Sequence, residues 1–136
     1  MPKEWSFEVI EAKIPAIDNT YFWQDYEFYE GRKNYASDVT GAYYTNRLAA
    51  GEYLEEIKKQ ASVIIIREIG DYWAPLGVGI LREVSRNAFK KHPLKFNSLK
   101  DAFDNIQTRM KIDVNKVIEK SILLNKKEAQ LRLNAF

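Results

Sequence analysis

The stretch Ser62-Val-Ile-Ile-Ile-Arg-Glu-Ile69 decides the fold class of this 136-residue chain. Its β-branched and apolar composition is typical of a strand buried in the centre of a sheet. The residues before it, at positions 40–60, show the spacing of a helix, and Asp38 or Thr40 is its expected N-cap. Residues three and four apart form the expected buried face of this helix: Tyr44, Leu48, Gly51, Leu54, Ile57 and Ala61.

Two further strands are expected before this helix. Trp5, Phe7 and Val9 alternate with polar residues, which predicts a strand that stops before Pro15. A short second strand is expected near 24–29, inside an aromatic segment without a clear period.

The second half of the chain has helical spacing. A helix is expected from about Val78 to Phe89, and Ser98 and Asp113 are placed to cap two more helices. The sequence therefore predicts an α+β fold, in which a small sheet of two or three strands is packed by a central helix and followed by a helical C-terminal half. We expect a single domain over residues 1–125 and a flexible, disordered tail over residues 126–136.

The composition excludes several classes of site. The chain has no cysteine and one histidine, which excludes disulfides, cysteine-bound zinc and a thiol nucleophile. His92 stands alone before Pro93, so we predict no metal site, no cofactor and no catalytic residue. The longest apolar run, Val63 to Ile66, is far shorter than a membrane span, and we expect a cytoplasmic protein without a membrane partner.

The net charge of +2 conceals an uneven distribution. Residues 1–60 contain seven Lys and Arg against eleven Asp and Glu, a net of −4, whereas residues 61–136 contain fourteen against eight, a net of +6. Such asymmetry is a hint of nucleic-acid contact, because basic surfaces release counterions from the phosphate backbone. The candidate DNA-contacting residues are Arg86, Lys90, Lys91, Lys95, Lys116 and Lys120.

Two Arg-Glu dipeptides form a candidate polar cluster together with Arg47. They are Arg67-Glu68 at the end of the apolar stretch and Arg82-Glu83 in the following helix. Buried charges are normally paired, so a structural ion-pair network is one interpretation. A cleft that binds phosphate or carboxylate groups through these arginines is the other.

The last seven residues, Gln130-Leu-Arg-Leu133-Asn-Ala-Phe136, resemble the peptide by which many replication and repair proteins dock on the sliding clamp, PCNA. In a 3₁₀ turn, residues three apart lie on one side, so Leu133 and Phe136 can fill one apolar pocket while the Gln130 amide forms hydrogen bonds. The fuller motif has two adjacent aromatic residues, and this chain ends at the first.

The middle of the chain resembles the C-terminal domain of the archaeal Nre DNA-repair family. The stretches that carry the resemblance are Tyr26-Glu-Phe-Tyr-Glu-Gly-Arg32, Gly41-Ala-Tyr-Tyr-Thr-Asn-Arg47, Tyr53-Leu-Glu-Glu-Ile-Lys-Lys-Gln-Ala-Ser62 and Arg67-Glu-Ile-Gly-Asp-Tyr-Trp-Ala-Pro-Leu-Gly-Val78. The resemblance implies an archaeal origin, a role in the response to DNA damage and PCNA binding through a C-terminal motif. It places no enzymatic activity on these residues, and the large N-terminal region of the family has no counterpart in this sequence.

The leading hypothesis is therefore a non-catalytic DNA-repair accessory domain that docks on PCNA and whose basic face contacts DNA. One alternative is a nucleic-acid-processing enzyme with an Arg/Glu cleft, which requires the candidate polar cluster to converge. The other is a purely structural interaction domain, which a large exposed patch of the aromatic residues between Tyr21 and Tyr29 would favour.

Overall fold

The computed structural model describes residues 5–13, 21–70 and 78–126 of the chain. Their main strands and helices are β1 (Ser6–Lys13), β2 (Tyr21–Glu27), α1 (Gly41–Ile57), β3 (Ser62–Ile69), α2 (Val78–Lys90), α3 (Leu99–Gln107) and α4 (Val114–Lys120). A short helical segment at 122–126 follows α4. The expected α+β fold is confirmed.

The three strands form one sheet in the order β2-β1-β3. Val9 of β1 lies opposite Asp25 of the antiparallel β2 and opposite Ile65 of the parallel β3. The expectation that Ser62–Ile69 is the central strand is wrong, because β3 is an edge strand in the described part of the chain and most of its residues are only half-buried. The centre belongs to β1, whose four consecutive residues from Phe7 to Ile10 are buried.

Helices cover both faces of this sheet. Phe7 points to one face, where its ring packs edge-on against Tyr43 of α1 at 5.3 Å between ring centroids. Ile10 points to the other face and packs with Val117 of α4. Alternate side chains of β1 therefore enter two different hydrophobic cores, one on each face of the sheet, and neither face of β1 from Phe7 to Ile10 is exposed to solvent.

The buried face of α1 differs from the expected one. Asn46 and Ala50 are buried, whereas Leu48 and Ile57 are 46% and 39% exposed. The reason is the close approach of α2, where Ser85 Oγ donates a 2.7 Å hydrogen bond to Asn46 Oδ1. Small and polar side chains allow this approach, and the larger apolar ones are left outside.

The start of α1 is stabilised from outside the helix. Thr40 is the N-cap residue, but its φ is 55° and its side chain makes no capping hydrogen bond. The buried carboxylate of Asp25 on β2 instead accepts hydrogen bonds from the backbone N–H groups of Asp38 and Val39, at 3.1 and 2.5 Å. The expectation of a local side-chain cap at Asp38 or Thr40 is wrong, because Thr40 occupies the N-cap position in a positive-φ conformation without a capping hydrogen bond.

The caps of the later helices are local and confirm the expectation. Ser98 Oγ accepts from the backbone N–H of Asp101 at 3.1 Å, and Asp113 Oδ1 accepts from that of Asn115 at 3.0 Å. Gln107 joins α3 to α4, since its side chain bonds the Val114 N–H and the carbonyl of residue 112. Among the described residues, no helix has the length and apolar character needed to cross a membrane.

Candidate interaction surfaces

Arg47 lies in an ion pair that joins α1 to the sheet. Its guanidinium binds the buried carboxylate of Glu27 on β2. The Tyr43 hydroxyl is buried beside the same carboxylate without the geometry of a hydrogen bond. Burial, and then the negative charge of Glu27, raises the pKa of Tyr43, while the hydrogen bond to Glu27 raises the pKa of Arg47. Tyr43 therefore stays neutral and Arg47 stays charged near neutral pH.

Arg67 and Glu68 point to opposite faces of β3 and make separate contacts. Arg67 pairs with Glu11, which lies directly opposite it on β1. Burial raises the pKa of Glu11, and the positive charge of Arg67 partly offsets that shift. Glu68 accepts hydrogen bonds from the backbone N–H groups of Lys111 and Ile112, at 2.7 and 2.8 Å, and so fixes the loop before α4.

Arg82 and Glu83 are exposed on α2, away from the sheet. Glu83 lies 3.6 Å from Arg86, and Arg86 also pairs with Glu52 of α1 at 2.9 Å. The structure does not bring the five residues of the candidate polar cluster together. The enzyme alternative requires that convergence, and these contacts provide no shared cleft for it.

The candidate DNA-contacting lysines fall into two groups. The α2 group consists of Lys90 at the end of α2 and Lys91 and Lys95 in the segment after it. The α4 group consists of Lys116 and Lys120 on α4. All five are exposed, but α2 packs on α1 and α4 covers the other face of the sheet, so they do not form one continuous helical face.

The sixth candidate, Arg86, differs from these lysines because its charge is already paired. Its guanidinium donates from two nitrogens to the Glu52 carboxylate, at 2.9 and 3.2 Å. That hydrogen bond is the main cause that raises the pKa of Arg86.

Sequence reasoning missed Glu8, a fully buried carboxylate in the central strand. Its two oxygens accept hydrogen bonds from Ser121 Oγ at 2.6 Å, the Ile122 N–H at 2.8 Å and Gln24 Nε2 at 3.2 Å. One available signal was Ser121 itself, which stands on the otherwise apolar stripe of the last helix.

These contacts fix the start of the segment 122–126, from which the chain continues to the C-terminal peptide. At its end, the Lys126 ammonium lies 3.6 Å from the centre of the Phe28 ring, beside the carboxyl end of β2. The clamp-binding candidates Gln130, Leu133 and Phe136 lie outside the described residues.

Two observations bear on other kinds of site. No group of three or more His, Cys, Asp or Glu residues that could hold a metal ion occurs within 5–13, 21–70 and 78–126. Tyr21, Trp23, Tyr26 and Tyr29 are individually exposed, and a large exposed patch of these aromatic residues is the feature that would favour the interaction-domain alternative.

Three relatives are similar to this chain over most of its length. The DNA repair protein NreA of Haloferax volcanii is 33% identical over 90% of this chain, and NreB of Archaeoglobus fulgidus is 36% identical over 92%. The DNA repair protein NreA of Archaeoglobus fulgidus is 37% identical over 74%. The matched parts make up 31%, 33% and 27% of these relatives, so the chain spans about a third of their length.

No solved structure gives a significant match to the chain. The family described as "Archaeal Nre, C-terminal" matches residues 27–136, which is most of the sequence and contains α1, β3 and every later helix. The chain therefore belongs to the archaeal Nre family and corresponds to its C-terminal region.

Proposed function

We propose that this chain is a DNA-repair accessory domain that docks on the archaeal sliding clamp through Gln130, Leu133 and Phe136. The observation that carries the proposal is the clamp-type spacing of these three residues at the end of a chain whose relatives are named DNA repair proteins. The spacing suits a 3₁₀ turn that presents the two apolar side chains to one pocket.

The anchoring of the segment 122–126 supports this proposal. Ser121 and Ile122 bind the buried Glu8 carboxylate, so the last described helix is held to the central strand. The residue from which the chain continues towards the peptide therefore belongs to an anchored segment. Ordering of a short peptide on the clamp costs conformational entropy, so the affinity is expected to be modest.

The domain also contacts DNA in this proposal, through the α4 group. Lys116 and Lys120 are exposed on the helix that directly precedes the segment 122–126. Duplex DNA that passes through a bound clamp is expected to approach the domain near the segment 122–126, from which the chain continues to the clamp peptide. The α2 group lies at and after the end of α2, which packs on α1, and Arg86 is already paired with Glu52.

Calorimetric titration of Archaeoglobus fulgidus PCNA tests the docking. The full chain is expected to bind, and a chain that ends at Lys127 is expected not to bind. Phe136→Ala is expected to weaken binding by about tenfold or more, since buried aromatic anchors dominate such interfaces. Leu131→Ala is the matched control, because residue 131 lies off the side shared by 130, 133 and 136. Equal binding by the full and shortened chains, or binding by neither, contradicts the proposal.

A further inference from the structure

The polar side chains of β2 point into the fold and are all engaged there. Gln24 donates to Glu8 at 3.2 Å and to the carbonyl of Lys120 at 2.8 Å. Asp25 accepts backbone N–H groups ahead of α1, and Glu27 pairs with Arg47. None of these groups is left to solvate the outside of the strand.

The exposed side chains of the same strand are aromatic. Tyr21, Trp23 and Tyr26 are 56%, 38% and 39% exposed. The rings of Tyr21 and Trp23 lie on one face with centroids 6.2 Å apart, and Tyr26 lies on the other face. This reverses the usual arrangement, in which polar groups are outside, and it is typical of a surface that another molecule covers.

β2 is also an edge strand. Its one strand partner among the described residues is β1, so its outer backbone edge is unpaired there. Soluble proteins normally protect such edges with charged side chains, including inward-pointing ones, or with proline or bulges. In β2 the inward-pointing charges are Asp25 and Glu27, and the stretch before them contains no charged residue or proline. Arg32 donates to the carbonyl of Tyr26 at 2.7 Å, so one end of the strand is already engaged. The open stretch is Tyr21–Gln24.

The composition of the exposed side chains favours a protein as the occupant. Tyr and Trp are enriched in protein interfaces, and the stretch Tyr21–Gln24 itself contains no charged residue. The relatives of this chain are about three times as long, so a full-length Nre protein contains further polypeptide outside this domain.

We propose that the outer edge of β2, from Tyr21 to Gln24, receives an extended strand from the part of an Nre protein that lies outside this domain. Backbone hydrogen bonds to the added strand provide affinity, and the aromatic side chains flank it on both faces. The contact extends the sheet to four strands. The inference rests on membership of the Nre family and does not depend on clamp docking.

Hydrogen–deuterium exchange tests this inference on a chimera in which this chain replaces the matched third of Archaeoglobus fulgidus NreB. The backbone amides within residues 21–24 that point away from β1 are expected to exchange at least about tenfold more slowly in the chimera than in the isolated chain, because an added strand protects them. The amides of α3 are the internal reference and are expected to exchange alike in both proteins.

Two variants complete the test. Trp23→Lys is expected to abolish the added protection while leaving the thermal unfolding of the isolated chain unchanged, because Trp23 is exposed there. Val84→Lys, at an exposed apolar position of α2, is the matched control and is expected to keep the protection. If Trp23→Lys unfolds the isolated chain, Tyr21→Lys takes its place.

Three outcomes overturn the inference. The first is equal exchange of residues 21–24 in the chimera and the isolated chain. The second is protection that only appears with a single-stranded oligonucleotide. The third is slow exchange of residues 21–24 in the isolated chain together with sedimentation as a dimer. That result would show that a second copy of the chain covers the edge of β2. PCNA is absent throughout, so failure here leaves the clamp proposal intact.

Discussion

At the scale of single residues, the fold depends on carboxylates that are buried and used as acceptors. Asp25 accepts a backbone N–H ahead of α1, and Glu27 forms an ion pair with Arg47. Glu8 accepts hydrogen bonds from Ser121 and Ile122. A buried carboxylate is tolerated because donors replace the water that it loses. Each of these contacts links residues far apart in sequence.

Glu8→Gln tests how strongly one such carboxylate stabilises the fold. The amide has one acceptor oxygen, which can accept from the Ile122 N–H and the Gln24 amide only when the NH₂ group donates to Ser121 Oγ. The free energy of unfolding, measured with urea, is expected to fall by about 1–2 kcal/mol, since hydrogen bonds to a charged group become bonds to a neutral one.

The control for Glu8→Gln is Glu56→Gln, an exposed position on α1. This change is expected to alter the free energy of unfolding by less than about 0.5 kcal/mol. Equal effects of the two substitutions would contradict a structural role for the Glu8 carboxylate.

At the scale of the elements, the contact of α1 with the sheet and with α2 determines which helix residues can be changed. Ala50 is fully buried in the core around Phe7 and Tyr43, whereas the next residue, Gly51, is exposed. A Cβ atom added at Gly51 meets nothing within 4 Å. Two adjacent positions of one helix thus have opposite tolerance for added atoms.

Ala50→Leu and Gly51→Ala are therefore expected to have opposite signs. The larger side chain at position 50 forces α1 away from the sheet and lowers the free energy of unfolding by about 1–3 kcal/mol. Alanine at position 51 favours the helix and raises it by about 1 kcal/mol. Thermal and urea unfolding of the two variants measure both effects, and a loss of stability at Gly51→Ala would show that this side of α1 is covered.

The Glu11–Arg67 pair between β1 and β3 predicts a pH dependence. Burial raises the pKa of Glu11 in the folded state, so ionised Glu11 opposes folding, and this penalty disappears as pH falls and the group is protonated. Arg67 reduces the penalty through its positive charge. Arg67→Met raises the folded-state pKa further, so its loss of stability is expected to be largest near neutral pH and smaller in acid.

Urea unfolding of the native chain and Arg67→Met between pH 4 and pH 8 measures this dependence. Arg82→Met, an exposed arginine of α2, is the control and is expected to show little change across the same range. A stability difference for Arg67→Met that stays constant with pH would show that the two side chains do not interact as an ion pair.

The elements show which features a sequence can specify locally. The caps at Ser98 and Asp113 and the bounds of β3 follow from neighbouring residues, and these predictions are confirmed. The buried face of α1 does not follow, because periodicity treats Leu48 as core while the approach of α2 selects smaller residues such as Ala50. Strand order also depends on tertiary pairing, so an apolar composition could not place β3 at an edge.

The candidate site shows the same limit. Arg67 pairs with the residue opposite it on β1 because of the strand register, and Arg47 pairs with Glu27 because of where α1 packs on the sheet. The spacing of residues in the sequence reveals neither the register nor the packing. The clamp-type peptide is different, because its recognition needs a short local pattern and no tertiary partner. The C-terminal peptide can therefore be recognised as a candidate from the sequence alone, and its binding to the clamp stays a prediction.

At the scale of the whole molecule, the described domain carries surfaces of different character. The outer edge of β2 is aromatic and lies in the acidic part of the sequence, while α4 carries exposed lysines and leads to the C-terminal peptide. The α2 group lies beyond the other helical layer. The two surfaces meet at Lys120, whose carbonyl accepts a hydrogen bond from Gln24 and whose ammonium lies 6.0 Å from the centre of the Phe22 ring.

The salt dependence of DNA binding separates the two basic groups. Fluorescence anisotropy with a labelled duplex measures the affinity between about 50 and 200 mM salt. A plot of the logarithm of affinity against the logarithm of salt concentration has a slope whose size is proportional to the number of phosphates neutralised. Replacing Lys116 and Lys120 together by alanine is expected to reduce this slope by roughly one to two, because each phosphate contact contributes about 0.9. Replacing Lys90, Lys91 and Lys95 is expected to leave it unchanged. The opposite result is a reduced slope when the α2 group is replaced and an unchanged slope when the α4 group is replaced. It would place DNA on the α1 side of the sheet, away from the start of the clamp peptide. The proposed arrangement of domain, clamp and duplex would then be wrong.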